Sequence, residues 1–275
     1  MKKIVQDIFN SFLKLIENTV DSSVFRISND ATNWVTTLWA YFAIFAVGMT
    51  LIYFLIEINN RLVFERSDFT MKSFFAPFLK LVIAFIVIGC GKDIIAICIN
   101  LGNGFVDEAG KASLFAADNA TVTAKLTDYI GDKLDLSFFS ALAFLFPMLI
   151  CFVVAAICVI VWLYKAVMWK IELLFRICVT PIALADVYSG KNSNTIRWCK
   201  SFLACCLTGG MYIIMPKVAV IVGFNAIGDF YTANFASLGS GLWATLCMVL
   251  LLLAIPIAAL GAAGAAKTAI KEALS

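Results

Sequence analysis

Three stretches of this chain, 31–56, 136–164 and 230–266, run for 26, 29 and 37 residues without a charged side chain. About 20 consecutive apolar residues in helical form cross the hydrocarbon core of a bilayer. Runs longer than this exceed what a soluble core asks of one element, so the sequence predicts an integral membrane protein that crosses several times. Backbone amides facing lipid have no water to bond, and only helices or closed barrels satisfy them internally. The predicted fold class is therefore all-α. Hydrophobic residues make up 62% of the chain and charged residues 14%, with a mean hydropathy of +0.95, well outside the range of soluble domains. Five or six helices of this kind occupy nearly half of the 275 residues and leave no room for a separate soluble catalytic domain.

The residue types present narrow the chemistry. Histidine is absent, which excludes a His-ligated metal, a Ser-His-Asp triad and a histidine proton relay. The nine cysteines form no C-x-x-C pair and sit mostly inside apolar runs, where they read as small hydrophobes of a helix bundle. No glycine loop of the phosphate-binding kind occurs. The chain is thus expected to be no enzyme and to need no cofactor and no metal.

Residues 1–30 form an N-terminal amphipathic segment. Ile4, Val5, Ile8, Phe9, Phe12, Leu13 and Ile16 recur every three or four positions, and Lys2, Lys3, Asp7, Lys14 and Glu17 fill the other face. Asp7 and Lys14 interrupt the unbroken apolar centre that a signal peptide needs. The segment is expected to lie on the membrane surface or on a partner. Residues 31–275 read as a single polytopic membrane domain of about five spans, at 33–56, 74–91, 138–164, 201–224 and 242–266. Gly89-Cys90-Gly91 breaks or bends the second.

The segment 165–187 is apolar but punctuated by Lys165, Lys170, Glu172, Arg176 and Asp186, and its longest charge-free run is too short to span. It reads as an amphipathic or re-entrant helix, with a sixth span as the alternative. Charge sets the orientation. With five spans and the N-terminus outside, the inner segments carry eleven Lys and Arg and the outer ones seven. This is the direction of the positive-inside rule, so the C-terminus is expected to be cytoplasmic.

An acidic extracytoplasmic loop is expected at about 100–137, with Asp107, Glu108, Asp118, Asp128, Asp132 and Asp135 against three lysines. It serves either as a docking surface for an extracytoplasmic partner or as a cap over the protein's own helices. Four ionisable groups fall at or near membrane depth: Lys80, Lys92, Asp93 and Lys217. Such groups act as interfacial anchors, or they mark a hydrophilic lumen or a contact with lipid headgroups. Gly209, Gly210, Gly261 and Gly264 permit close helix approach.

One stretch carries a resemblance to a known family. Arg176-Ile-Cys-Val-Thr-Pro181-Ile-Ala-Leu-Ala opens a proline-led run of small apolar residues; a short polar turn follows, and Trp198 opens the next long span. This resembles the VirB-six/TrbL-type family, the polytopic inner-membrane subunits of bacterial type IV secretion and conjugation machines. The layout is similar along almost the whole chain: an amphipathic start, two spans, a sizeable extracytoplasmic loop, then three spans or near-spans. Trp198 matches the family's characteristic tryptophan, and Pro181 leads its apolar run.

The resemblance implies a non-enzymatic structural and conduit subunit in the bacterial cytoplasmic (inner) membrane. Such a subunit is a homo-oligomer that helps pass DNA or protein substrate and contacts it transiently. Its partners are the lipid bilayer and other secretion-machine subunits, both ATPases and extracytoplasmic components. The chain has no long hydrophilic C-terminal tail, so roles assigned to such tails are not carried over. The alternative function is a self-contained small-molecule or ion channel or transporter, although the sequence shows no internal repeat and no mid-span carboxylate.

Overall fold

A computed structural model of the chain describes residues 11, 22–27, 29–64, 71–111, 138–189, 193–234 and 253–274. Among them the elements are α1 (Ser22–Phe25), α2 (Asn29–Phe64), α3 (Met71–Gly89), α4 (Gly91–Lys111), α5 (Phe138–Ala185), a 3-10 turn (Asp186–Ser189), α6 (Ser193–Asn234) and α7 (Ala254–Leu274). The all-α expectation holds for these residues. Most of the amphipathic segment 1–30 and the acidic stretch 112–137 lie outside them.

Three stretches, Thr37–Val63, Leu149–Ser189 and Asn194–Gly223, are long and apolar enough to cross a membrane. A fourth is reached if Phe74–Gly89 and Gly91–Lys111, bent by 43° at their junction, count as one broken span. Among the described residues, three or four spans therefore stand where the sequence suggested about five. The fifth, 242–266, begins outside the described residues, and its later part joins the shorter apolar stretch Ala254–Ile270 of α7. On α2, the large apolar side chains of Tyr41, Ile44, Phe45, Ile52 and Leu55 are exposed, Ile44 by 71%. A contiguous exposed apolar surface of this kind is unsustainable in water and natural in lipid.

The break at Gly89-Cys90-Gly91 forms as predicted. The Cys90 amide still bonds the Ile86 carbonyl (2.9 Å), while the Cys90 carbonyl accepts from Asp93 and Ile94 (3.0 and 3.1 Å) and so opens the next helix. Asp93 sits in the first turn of α4, where the helix dipole favours a negative charge. Gly91 is required here for space. A Cβ would come within 2.8 Å of Leu184 and 3.3 Å of Trp39. Residues 100–111, read from sequence as the start of the loop, belong instead to α4.

The largest departure concerns 165–187. No separate amphipathic or re-entrant helix forms there; residues 138–185 are one helix of 48 residues. Three of the charges that punctuate the segment are accommodated without a break. Lys165 donates to the Leu260 carbonyl (3.0 Å), and Arg176 pairs with Glu172 one turn away (2.9 Å). Proline ends the helix only gradually. Pro181 withholds the amide that would bond the Ile177 carbonyl, the Thr180 hydroxyl bonds the Arg176 carbonyl (2.9 Å), and the chain tightens into the 3-10 turn after Ala185.

The residues group into two compact units. The first comprises Met1–Arg26, Phe105–Val167 and Thr208–Ala269; the second comprises Ile27–Gly104, Met168–Leu207 and Ile270–Ser275. The first unit is centred on an aromatic knot. Phe25, fully buried, meets Trp162 edge-on (6.3 Å between centroids) and Tyr212 (5.8 Å), and these two meet each other at 5.8 Å. Gly210 faces the Phe105 ring with no room for a side chain.

In the second unit, Ala46, Ile88, Leu184 and Ala185 form one buried cluster, and Leu81, Ala84 and Tyr188 another. Ala46 and Ala185 in the first and Ala84 in the second let α2, α3 and the end of α5 approach closely. Polar pins complete this unit. Trp169 Nε1 donates to the Cys205 carbonyl (2.7 Å), Asn103 exchanges hydrogen bonds with the backbone of Ile27 (3.1 and 3.5 Å), and Gly102 lies against the Cys206 backbone.

Candidate functional site

The second unit contains an open cleft with a volume of about 520 Å³. One wall is a stripe of α2, Tyr53, Ile56, Glu57, Asn60 and Arg61, whose three- and four-residue spacing places them on one helical face. The other wall is the 3-10 turn, with Asp186, Tyr188 and Ser189. The turn is held in shape by the Ser189 hydroxyl bonding the Asp186 carbonyl (2.7 Å) and by Tyr188, which packs on Leu81 and Ala84 with Phe54 and Phe85 beside them.

Charge is arranged unevenly across the cleft. The Glu57 carboxylate receives Arg61 (2.9 Å) and, from α3, Lys80 (3.1 and 3.4 Å). The buried Tyr188 hydroxyl lies against the Glu57 carboxylate, and Asp186 Oδ2 is buried with no donor among the described residues. Polar atoms buried in this way are rare in folded proteins, because each forfeits its hydration without replacement.

The charge-free run 31–56 is 26 residues long, about 39 Å of helix at 1.5 Å per residue, against a hydrocarbon core of about 30 Å. Glu57 is the first charge beyond that run and lies toward one end of the membrane-crossing stretch Thr37–Val63.

The residues singled out from sequence are spread across both units. Lys80 joins the Glu57 cluster rather than standing as a lone anchor. Lys92 is exposed, with its ammonium 4.9 Å from the centre of the Trp39 ring, and Asp93 is exposed beside it in sequence. Lys217 is buried, 8% exposed, and donates to the carbonyls of Ala109 (2.7 Å) and Gly110 (3.0 Å) at the end of α4. It thus caps a helix C-terminus, where a cation is favourable. Gly209 and Gly210 are buried, whereas side chains built at Gly261 and Gly264 would meet nothing within 4 Å.

Pro181 and Trp198 flank one braced corner of the second unit. The Thr195 hydroxyl donates to the Ala183 carbonyl (3.1 Å), and Arg176 donates to the Ser201 hydroxyl (2.7 Å). Pro181 is buried, and Trp198 stacks on Phe202 with ring centres 5.1 Å apart.

Sequence reasoning missed Glu57, Asp186 and Tyr188 as a group. Glu57 stood only as the end of a span, and its four-residue spacing to Arg61 was the one local signal of a pair.

Fold and site together define a polytopic, largely α-helical membrane protein with several long apolar helices. No family model, no curated protein and no solved structure matches the chain.

Proposed function

We propose that this chain is a structural and conduit subunit of a bacterial type IV secretion (conjugation) machine, contributing to the inner-membrane passage for DNA or protein substrate. The observation that supports the reading is the braced corner. The stretch resembling the VirB-six/TrbL-type family falls on the end of one apolar helix and the start of the next, tied together by Thr195 and Arg176. Trp198 lies at that corner, half-buried and stacked on Phe202. In this reading the subunit is non-enzymatic and homo-oligomeric. Separate ATPases power it, and extracytoplasmic subunits dock on the acidic stretch at about 100–137. The N-terminus is extracytoplasmic and the C-terminus cytoplasmic, as the lysine and arginine distribution favours.

The test has two parts. Purification in gentle detergent from the native host is expected to recover a large homo-oligomer with secretion ATPases and extracytoplasmic subunits. In cells, Trp198→Ala is expected to reduce substrate transfer severalfold at unchanged protein level. Recovery as a lone monomer or dimer, with flux through the purified protein in liposomes, would replace this reading with a self-contained channel.

A further inference from the structure

Four cysteines gather where α4 meets α6 in the second unit: Cys98 on α4 and Cys199, Cys205 and Cys206 on α6. The approach is tight. A Cβ on Gly102 would lie 3.0 Å from the Cys206 carbonyl oxygen and 3.1 Å from the Cys206 Cβ, so the two backbones touch there. Cys98 lies one helical turn before Gly102 and Cys199 two turns before Cys206, which puts both on the facing sides of the two helices. The Cys98 thiol interacts electrostatically with the thiols of Cys199 and Cys206. Access separates the four. Cys205 and Cys206 are buried, whereas Cys98 and Cys199 are reduced and half-buried, within reach of small solutes. A disulfide needs Cα atoms within about 7 Å, and backbones in contact at a glycine bring facing residues toward that range. An accessible thiol with a second thiol in reach distinguishes a redox-responsive cysteine from one that only packs.

We propose that Cys98 and Cys199 form a reversible disulfide that ties α4 to α6, with hydrogen peroxide as the oxidant. The sulfur of one cysteine attacks a peroxide oxygen, the O–O bond breaks, water leaves and a sulfenic acid remains. The second thiol attacks that sulfur, the S–S bond forms, and the hydroxyl departs with the thiol proton as a second water. Two thiols and one peroxide thus become a disulfide and two waters, and exchange with a small thiol reverses the bridge. A contact through Gly102 has no side chain to fix its register, whereas the bridge fixes it covalently. It would join the part of the broken span beyond Gly91 to the corner that carries Trp198, the residue preceding Cys199. The proposal rests on the meeting of α4 and α6 alone and stands apart from any role in a secretion machine.

The experiment uses the full chain in detergent, first reduced and then exposed to dilute hydrogen peroxide, with peptides mapped by mass spectrometry without further reduction. Expected is a peptide pair linked through Cys98 and Cys199. Maleimide labelling should be lost at both positions together and restored by dithiothreitol. Cys199→Ser should abolish the link, and Cys206→Ser should retain it. The wild-type map decides the matter without reliance on either variant. A chain whose Cys98 and Cys199 both stay open to maleimide after peroxide overturns the proposal. So does a link from Cys98 to Cys206 in place of Cys199, or a loss of labelling that dithiothreitol does not reverse.

Discussion

Lys217 in the first unit and Glu57 in the second are both charged groups carried on long apolar helices, and the two units accommodate them differently. Lys217 is buried and bonded to backbone carbonyls at the end of α4, fixed partners that close the site. Glu57 is held by the long side chains of Arg61 and Lys80, which leave an open cleft beside them. Backbone partners cannot move away without unwinding a helix. Side-chain partners can reorient toward a ligand. The first arrangement therefore suits structure and the second suits binding, which is why the candidate site falls in the second unit.

Three substitutions test this contrast, with thermal unfolding of the full chain in detergent as the common readout. The largest effect is expected for Lys217→Met. It strips two helix-terminal carbonyls of a charged donor inside the fold and should cost about 1–3 kcal/mol, seen as a clear fall in the apparent melting temperature. An unchanged melting temperature would mean that the capping contacts are structurally idle and that the two units do not differ in this way.

A smaller loss, about 0.5–1 kcal/mol, is expected for Glu57→Gln, because the cluster is partly solvated and screened. Arg61 and Lys80 then lack their shared counter-charge. Adding Lys80→Met to Glu57→Gln should recover part of the loss, and a double-mutant cycle measures the coupling. Strict additivity would show that the short distances in the cluster carry no interaction energy. The smallest effect belongs to Lys92→Gln, which removes an exposed cation from the Trp39 ring and should cost about 0.5 kcal/mol. A shift as large as that of Lys217→Met would show that this contact anchors the break between α3 and α4.

Several features were legible from the sequence because they depend on neighbours in the chain. The charge-free runs place the long helices, and Gly89-Cys90-Gly91 places the break, where Gly91 makes room for the ring of Trp39 and the side chain of Leu184. The continuation of the third span's helix through 165–185 was not legible. Charge there looked like a boundary, but Glu172 and Arg176 neutralise each other one turn apart, and Lys165 finds a carbonyl on α7. Local charge ends a helix only when it lacks a partner, and one of these partners is far away in sequence.

The candidate site shows the same division. Lys80 and Lys217 were visible as charges near membrane depth, but their roles were not. One belongs to a side-chain cluster and the other caps a helix, and only the packing of separate helices distinguishes them.

The sequence by itself determined that this protein is all-α, apolar along several long helices and built for a membrane, because the lack of water around the backbone leaves a lipid-facing chain little other choice. The tertiary structure decided which charges meet. Glu57 and Asp186 lie on helical elements far apart in the chain, and no periodicity links them. They face one cleft because the small residues Ala46, Ala84 and Ala185 let α2, α3 and the end of α5 pack closely enough to bring their ends together.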